Sequence, residues 1–315
     1  MLRYISLRLL LALGVLWAAY TVTFLVLYMI PGDPVSAMAA GGMDGGATSQ
    51  ERIDELREAY GFNDPLYVQY FNHLVAAVRG DFGTSVQTGQ TVLTAIGQVI
   101  ASTLQLALLA LIIAVVGGGG LALLATYTRA TWLKNFLLAL PPVAISLPTF
   151  WIGLLLVQLF SFQLGWFPAT GDDGLLSLVL PAITLALPVS AMIGQVLARS
   201  LEQTAHDAYV VTARAKGLTR LQVHGGHVLR NAMLPSLTMV GMVAGNLLAG
   251  SVIVETVFSR PGVGQLTVEA VTMQDLPVVQ GVVVLGAVVF IAANLLVDLI
   301  LPLADPRVAV GYSYA

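Results

Sequence analysis

The sequence predicts an all-α integral membrane protein with about six transmembrane helices. Three observations lead there. Of 315 residues, 57% are hydrophobic and only 10% are charged. Six long apolar windows carry no Lys or Arg. The basic residues fall mostly on alternate connections between those windows. A soluble domain carries about 25% charged residues, enough to coat its surface with water-facing groups; this chain lacks that coat, so much of its solvent is lipid. The net charge of −3 gives no reason to expect nucleic acid as a partner. With no cysteine, disulfides, thiol chemistry and Cys-ligated metals are excluded.

The first window, Leu9–Ile30, follows Arg3 and Arg8 and is long enough to cross a bilayer, which takes about 20 residues. It ends in Pro31-Gly32-Asp33-Pro34 rather than a small-residue cleavage site, so it reads as a retained first span, with a cleaved signal peptide as the alternative. The other windows are Leu104–Tyr127, Phe136–Phe160, Leu175–Ala198, Leu234–Val257 and Val278–Leu301. Hydrocarbon offers no partner to a backbone amide, so each window is expected to be helical.

Orientation follows from the cations. With the N-terminus cytoplasmic, the inner segments hold Arg3, Arg8, Arg129, Lys134, Arg199, Arg214, Lys216, Arg220, Arg230 and Arg307. The outer segments hold Arg52, Arg57, Arg79 and Arg260, and most of the acids, among them Glu51, Asp81, Asp172 and Asp173. That asymmetry obeys the positive-inside rule and places both termini in the cytoplasm.

The segment from Pro31 to Thr103 is too long for a bare connection. It contains a glycine-rich stretch from Gly41 to Gly46 and a capping-box pattern at Thr48 and Glu51, opening a helix with Ile53, Leu56 and Tyr60 that Gly61 stops. A second helix is expected from about Leu66 to Arg79, with Tyr67, Tyr70, Phe71, Leu74 and Val78 on one side. These helices either pack on the outer ends of the spans or form a landing surface for an outer partner. Helix breakers recur within the spans: Gly117 to Gly120, Pro141, Pro142, Pro148, Pro181 and Pro188. They read equally as fixed packing features or as points of bending, and Gly241 and Gly245 as sites of close helix approach.

The cytoplasmic connection 199–234 differs in kind. It is polar, and its core, Asp207-Ala208-Tyr209-Val210-Val211-Thr212-Ala213-Arg214-Ala215-Lys216-Gly217-Leu218, favours a helix from Tyr209 to Gly217. Gly217 acts as its C-terminal stop, and Arg214 and Lys216 complement the dipole there. So short a helix is not stable alone and needs a surface to lie on. That surface is the lipid face or the groove of another protein.

Thr212 to Leu218, then His227-Val228-Leu229-Arg230-Asn231-Ala232-Met233-Leu234-Pro235, resembles the coupling-loop signature of inner-membrane permeases of dipeptide, oligopeptide and nickel ABC importers. The resemblance continues at Val254-Glu255-Thr256-Val257-Phe258-Ser259-Arg260-Pro261-Gly262-Val263-Gly264, at Asp275 to Gly281 and at Asp305-Pro306-Arg307. Pro31 to Pro34, Gly61 to Pro65 and Gly80-Asp81-Phe82-Gly83-Thr84-Ser85 are similar to the N-terminal signatures of the first of the two permease subunits in that family. The general importer signature has Glu-Ala-Ala before the glycine; here Val211-Thr212-Ala213 precede Gly217, the variant of the peptide branch.

The resemblance implies a type I importer permease fold, similar to the methionine permease, with an extra N-terminal helix and extracytoplasmic loop. It divides the chain into residues 1–100, a permease domain over 101–305 and a short tail over 306–315. It implies a pore-forming subunit of an ATP-driven importer of dipeptides or oligopeptides, with nickel or glutathione as alternative cargoes. The chain itself would be no enzyme and would hold no cofactor; ATP and Mg²⁺ would sit on two partner ATPase subunits. A second permease subunit and an extracytoplasmic binding protein complete the implied assembly in the inner membrane. Ala208, Tyr209, Thr212, Ala213, Arg214, Ala215, Lys216, Gly217 and Leu218 would couple to the ATPase. Asn231, Pro235, Glu255, Phe258, Pro261, Gly262, Gly264, Asp305, Pro306 and Arg307 would be structural motif residues. Gln158, Gln195 and Asn246 could line a pore or cross-link helices.

Other chemistries find little support. The chain has no G-x-x-x-x-G-K-[ST], HExxH or G-x-S-x-G motif. His224 and His227 lack a third ligand nearby, and Gly225-Gly226 argue against a helix there. Glu255 and Asp298 are the acids nearest membrane depth, and snorkelling or pairing with backbone is the expectation for both. Neither has a partner acid at the midplane, which weakens a proton-coupled secondary transporter, the more distant alternative.

Overall fold

The computed structural model describes residues 2–29, 57 and 63–304. The Pro31–Pro34 motif, the 41–46 glycine stretch, the Thr48 capping box with its helix, and Asp305-Pro306-Arg307 lie outside the described residues, apart from Arg57. Every regular element described is helical: α1 (Leu2–Met29), α2 (Leu66–Val78), α3 (Val92–Tyr127), α4 (Thr131–Ser146), α5 (Thr149–Leu156), α6 (Leu176–Thr204), α7 (Ala208–Ala215), α8 (Arg220–Gln222), α9 (Leu229–Val257), α10 (Val263–Thr272) and α11 (Leu276–Ala304). Among the described residues, five helical stretches are long and apolar enough to cross a membrane, and a sixth if α4 and α5 count as one.

The span expected over Phe136–Phe160, whose prolines read as fixed kinks or points of bending, is sharply broken. α4 and the stretch Thr149–Gln163 meet at an angle of 106°. The break falls at Leu147, whose ψ of 132° is extended, followed by Pro148 at the N-cap of α5. A proline ring crowds the preceding residue out of the α region. Pro141 and Pro142, by contrast, lie inside α4, and Pro181 and Pro188 inside α6.

The helices also outrun their apolar windows. α3 has 36 residues, so it is about 54 Å long at 1.5 Å per residue. A hydrocarbon core is about 30 Å thick, and the surplus carries the helix into the polar zones.

The described chain divides into two compact units. One comprises Met1–Thr103 with Pro261–Ile291. In it Val92 and Ile96 of α3 pack with Ala270 of α10 and with Val278 and Val282 of α11. Two distant motifs meet there: Ser85 Oγ donates to Asp275 Oδ2 at 2.5 Å across 190 residues of sequence. Thr21 and Tyr70 share a hydrogen bond of 2.8 Å that ties α2 to α1.

The other unit comprises Leu104–Arg260 with Ala292–Ala315. Its main core joins Leu106, Ala110 and Ala114 of α3 to Leu185 and Ala186 of α6 and to Val243 and Leu247 of α9. At the crossing of α3 and α6 the backbones touch. A Cβ at Gly118 would lie 2.3 Å from the Ser190 carbonyl oxygen and 3.1 Å from Gly194 N, whereas Gly119 and Gly120 have open space beside them. Gly118 therefore serves packing, as small residues do where membrane helices approach closely. A second core, around Leu197, Leu201, Val223, Val228 and Ala232, seats α7.

Candidate functional site

The 199–234 connection is mostly helix: α6 reaches Thr204, α7 follows, and α8 opens a helical run that continues through Val223–Val228 into α9. Val223–Val228 is π-helical, and buried Val223 and Val228 anchor its two ends. This overturns the expectation that Gly225-Gly226 would keep His224 and His227 out of a helix. The start of that run was legible: Thr219 and Gln222 form a reciprocal capping box, with the Thr219 N–H donating to Gln222 Oε1 at 2.9 Å.

α7 is preceded by Asp207 as N-cap, whose backbone is extended, and ends in a two-bond clasp. Gly217 N–H donates to the Arg214 carbonyl at 3.0 Å, and Leu218 N–H to that of Ala213 at 3.4 Å. This Schellman arrangement requires a left-handed residue, and Gly217 supplies it with φ +80°. Two side chains hold the helix down: Val210 is 0% exposed and Ala213 6%. Both pack into the cluster formed by Leu197, Leu201, Val223 and Val228. Opposite them, Ala208, Tyr209, Val211, Thr212, Arg214, Ala215, Lys216 and Gly217 are exposed, and Leu218 is half-buried. Val211 keeps 61% of its surface open.

One polar link joins α7 to the start of α9. Asn231 Nδ2 donates to Tyr209 Oη at 2.8 Å, and Tyr209 Oη donates to the His227 carbonyl at 3.4 Å. Two pieces of the coupling-loop signature are thereby fastened to each other. His224 faces elsewhere, with Nε2 3.2 Å from Thr126 Oγ1. Among the described residues no cluster of three or more His, Cys, Asp or Glu side chains could hold a metal ion.

The remaining motif residues take separate positions. Pro235 lies exposed inside α9, and Phe258 is buried in the main core. Glu255 is 0% exposed, so it does not snorkel. Arg260, 4% exposed, donates through its own N–H to the Glu255 carbonyl at 2.9 Å and through Nη1 to Ser177 Oγ at 3.4 Å. Burial pushes the Arg260 pKa down, while the charges of Asp172 and Glu255 oppose that shift. Pro261 is exposed, Gly262 and Gly264 are buried, and Gly262 is the N-cap of α10. Gln158 is exposed in the π-helical stretch Val157–Gln163, Gln195 is half-buried on α6, and Asn246 is exposed on α9. For Asp298 the backbone alone is described, within α11.

Comparison with known proteins places this arrangement. Residues 118–310 match the family of binding-protein-dependent transport system inner membrane components, and residues 1–107 match the N-terminal domain of such membrane components. The glutathione transport system permease protein GsiC of Escherichia coli K12 is 36% identical over 308 residues, 98% of this chain and 99% of that protein. The corresponding protein of Shigella flexneri serotype 5b is 35% identical over the same shares of each chain. Among solved structures, an inward-facing MetNI methionine ABC transporter superposes with a TM-score of 0.55 at 17% identity, covering 67% of this chain and 96% of that one. A chain of an amino acid ABC transporter superposes with a TM-score of 0.50 at 20% identity, covering 68% and 94%. The methionine transporter supports the type I importer permease fold. The chain belongs to the binding-protein-dependent inner-membrane permeases of ABC importers, in the dipeptide, oligopeptide and nickel branch, and is a transport subunit rather than an enzyme.

Proposed function

We propose that this permease imports short peptides, with glutathione among them, and that α7 is the helix through which partner ATPase subunits drive it. The observation that carries the reading is the division of labour on α7. Val210 and Ala213 fix the helix to its own chain, while Ala208, Val211, Thr212 and Ala215 form an open face of small side chains. Such a face fits a groove, and a partner that moves it also pulls on α9 through the Asn231–Tyr209 bond. Coupling of this kind shifts a two-state pore by differential binding; moving the balance from mostly inward to mostly outward takes about 5 kcal/mol. The full assembly in this reading has a second permease subunit, two ATPase subunits holding ATP and Mg²⁺, and an extracytoplasmic binding protein. Gln158, Gln195 and Asn246 are the polar candidates for the pore wall.

The same reading places both termini and α7 in the cytoplasm, in agreement with the distribution of Arg and Lys. A cysteine-free chain makes the topology easy to test. Gln90→Cys is expected to react with an impermeant maleimide in intact cells, and Lys216→Cys only after lysis. The reverse pattern would invert the topology. For cargo, ATPase activity of the purified complex with its binding protein is expected to rise with glutathione or dipeptides. Stimulation by nickel alone would assign the metal instead.

A further inference from the structure

Two open cavities adjoin at the cytoplasmic-side ends of α3 and α4, and the first reaches Arg214 and Leu218 of the coupling segment. The first, of about 560 Å³, is walled by Arg129, Lys134, His206, Arg214, Arg220 and His224. The carboxylate in that wall is Glu202, and Lys134 Nζ already holds it at 2.7 Å. The second, of about 600 Å³, shares Arg129 and Arg220 with the first but is otherwise lined chiefly by Leu124, Leu133, Leu137 and Tyr127. Arg220 Cζ lies over the Tyr127 ring, 4.8 Å from its centroid. A cation–π contact leaves a guanidinium's N–H groups free to donate to an anion.

We propose that these cavities together bind one anionic phospholipid, its phosphate head group among Arg129, Arg214 and Arg220 and an acyl chain along Leu124, Leu133 and Leu137. The charge balance calls for an anion: the guanidinium groups outnumber the one acid, and that acid is taken. Free phosphate would satisfy the basic cavity but leave the apolar one empty, whereas a phospholipid fills both. On the same helix as Leu133 and Leu137, Trp132 and Phe136 are 72% and 57% exposed. Basic pockets between membrane helices take anionic head groups in this way, and tryptophan suits the interfacial depth. Which leaflet supplies the lipid rests on the topology proposed above; the binding site does not.

The test uses the full complex, delipidated in detergent and mixed with dioleoyl phosphatidylglycerol or dioleoyl phosphatidylcholine, with retained lipid counted by native mass spectrometry. Wild type is expected to retain phosphatidylglycerol in preference to phosphatidylcholine. Arg129→Ala/Arg220→Ala is expected to weaken that retention about tenfold or more, while Arg129→Lys/Arg220→Lys keeps most of it. Leu133→Glu, which leaves the basic wall intact, is expected to lose the lipid as well. Equal retention by the alanine pair would overturn the proposal. So would displacement of lipid by millimolar inorganic phosphate with Leu133→Glu behaving as wild type, which would mark a free-anion site. Loss of ATPase subunits from the alanine pair with lipid retention unchanged would also overturn it, and would assign the cations to an acidic partner surface.

Discussion

The crossing of α3 over α6 and the attachment of α7 are two solutions to joining helices within one unit. At the crossing, Gly118 and Gly194 let backbone meet backbone, with distances from a hypothetical Cβ of 2.3 and 3.1 Å at Gly118. α7 is held by two small buried side chains and by one side-chain hydrogen bond to α9. The first joint has no slack and no free face. The second leaves most of its surface open and is secured at points rather than along its length. In the proposed function the crossing keeps helices together through a cycle, and α7 is the lever that a partner grips.

Mutation can break that contrast. The largest effect is expected at Gly118. Gly118→Val drives a branched side chain into the Ser190 carbonyl, and overpacking at a close contact costs about 1–3 kcal/mol or more. Detergent-purified Gly118→Val is expected to melt well below wild type or fail to accumulate, while Gly119→Val, with open space beside it, stays close to wild type. Comparable melting of the two would mean that the crossing is looser than drawn here.

Next comes Gly217→Val. A left-handed β-branched residue costs about 1–2 kcal/mol, which α7 relieves by unwinding its last turn. The expected result is ATP hydrolysis without uptake in a protein that still reaches the membrane at normal abundance. Uptake at the wild-type rate would break the assignment.

The smallest effect belongs to the Asn231–Tyr209 link. Losing one such hydrogen bond costs about 0.5–1.5 kcal/mol. Asn231→Leu and Tyr209→Phe should each lower uptake severalfold, and together no further than either alone, because they remove the same bond. Additive losses in uptake would show that the two residues act separately.

Much of this was legible in the sequence. Apolar windows marked the spans, and Gly217 announced the end of α7 because few other residues accept φ +80°. The capping box at Thr219 and Gln222 was equally available in the residue types but was not read, and Gly225-Gly226 alone decided the expectation. Tertiary burial of Val223 and Val228 keeps that glycine pair helical, and burial is not a local property. Proline gave a divided signal. Pro148 breaks its span while Pro141, Pro142, Pro181 and Pro188 do not, because the outcome depends on what neighbouring helices supply to the freed backbone groups. Nothing local distinguishes Gly118 from Gly119, or pairs Ser85 with Asp275. Those facts belong to the fold.

The account turns on whether the open face of α7 is covered by an ATPase subunit, and a single cysteine reads this out directly. Thr212→Cys, in a chain with no other thiol, is to be labelled with a maleimide in two samples: the isolated permease chain and the purified complex. The expected result is rapid labelling in the isolated chain and strong protection in the complex, with Gln90→Cys labelled equally in both. Equal labelling of Thr212→Cys in the two samples would contradict the central claim.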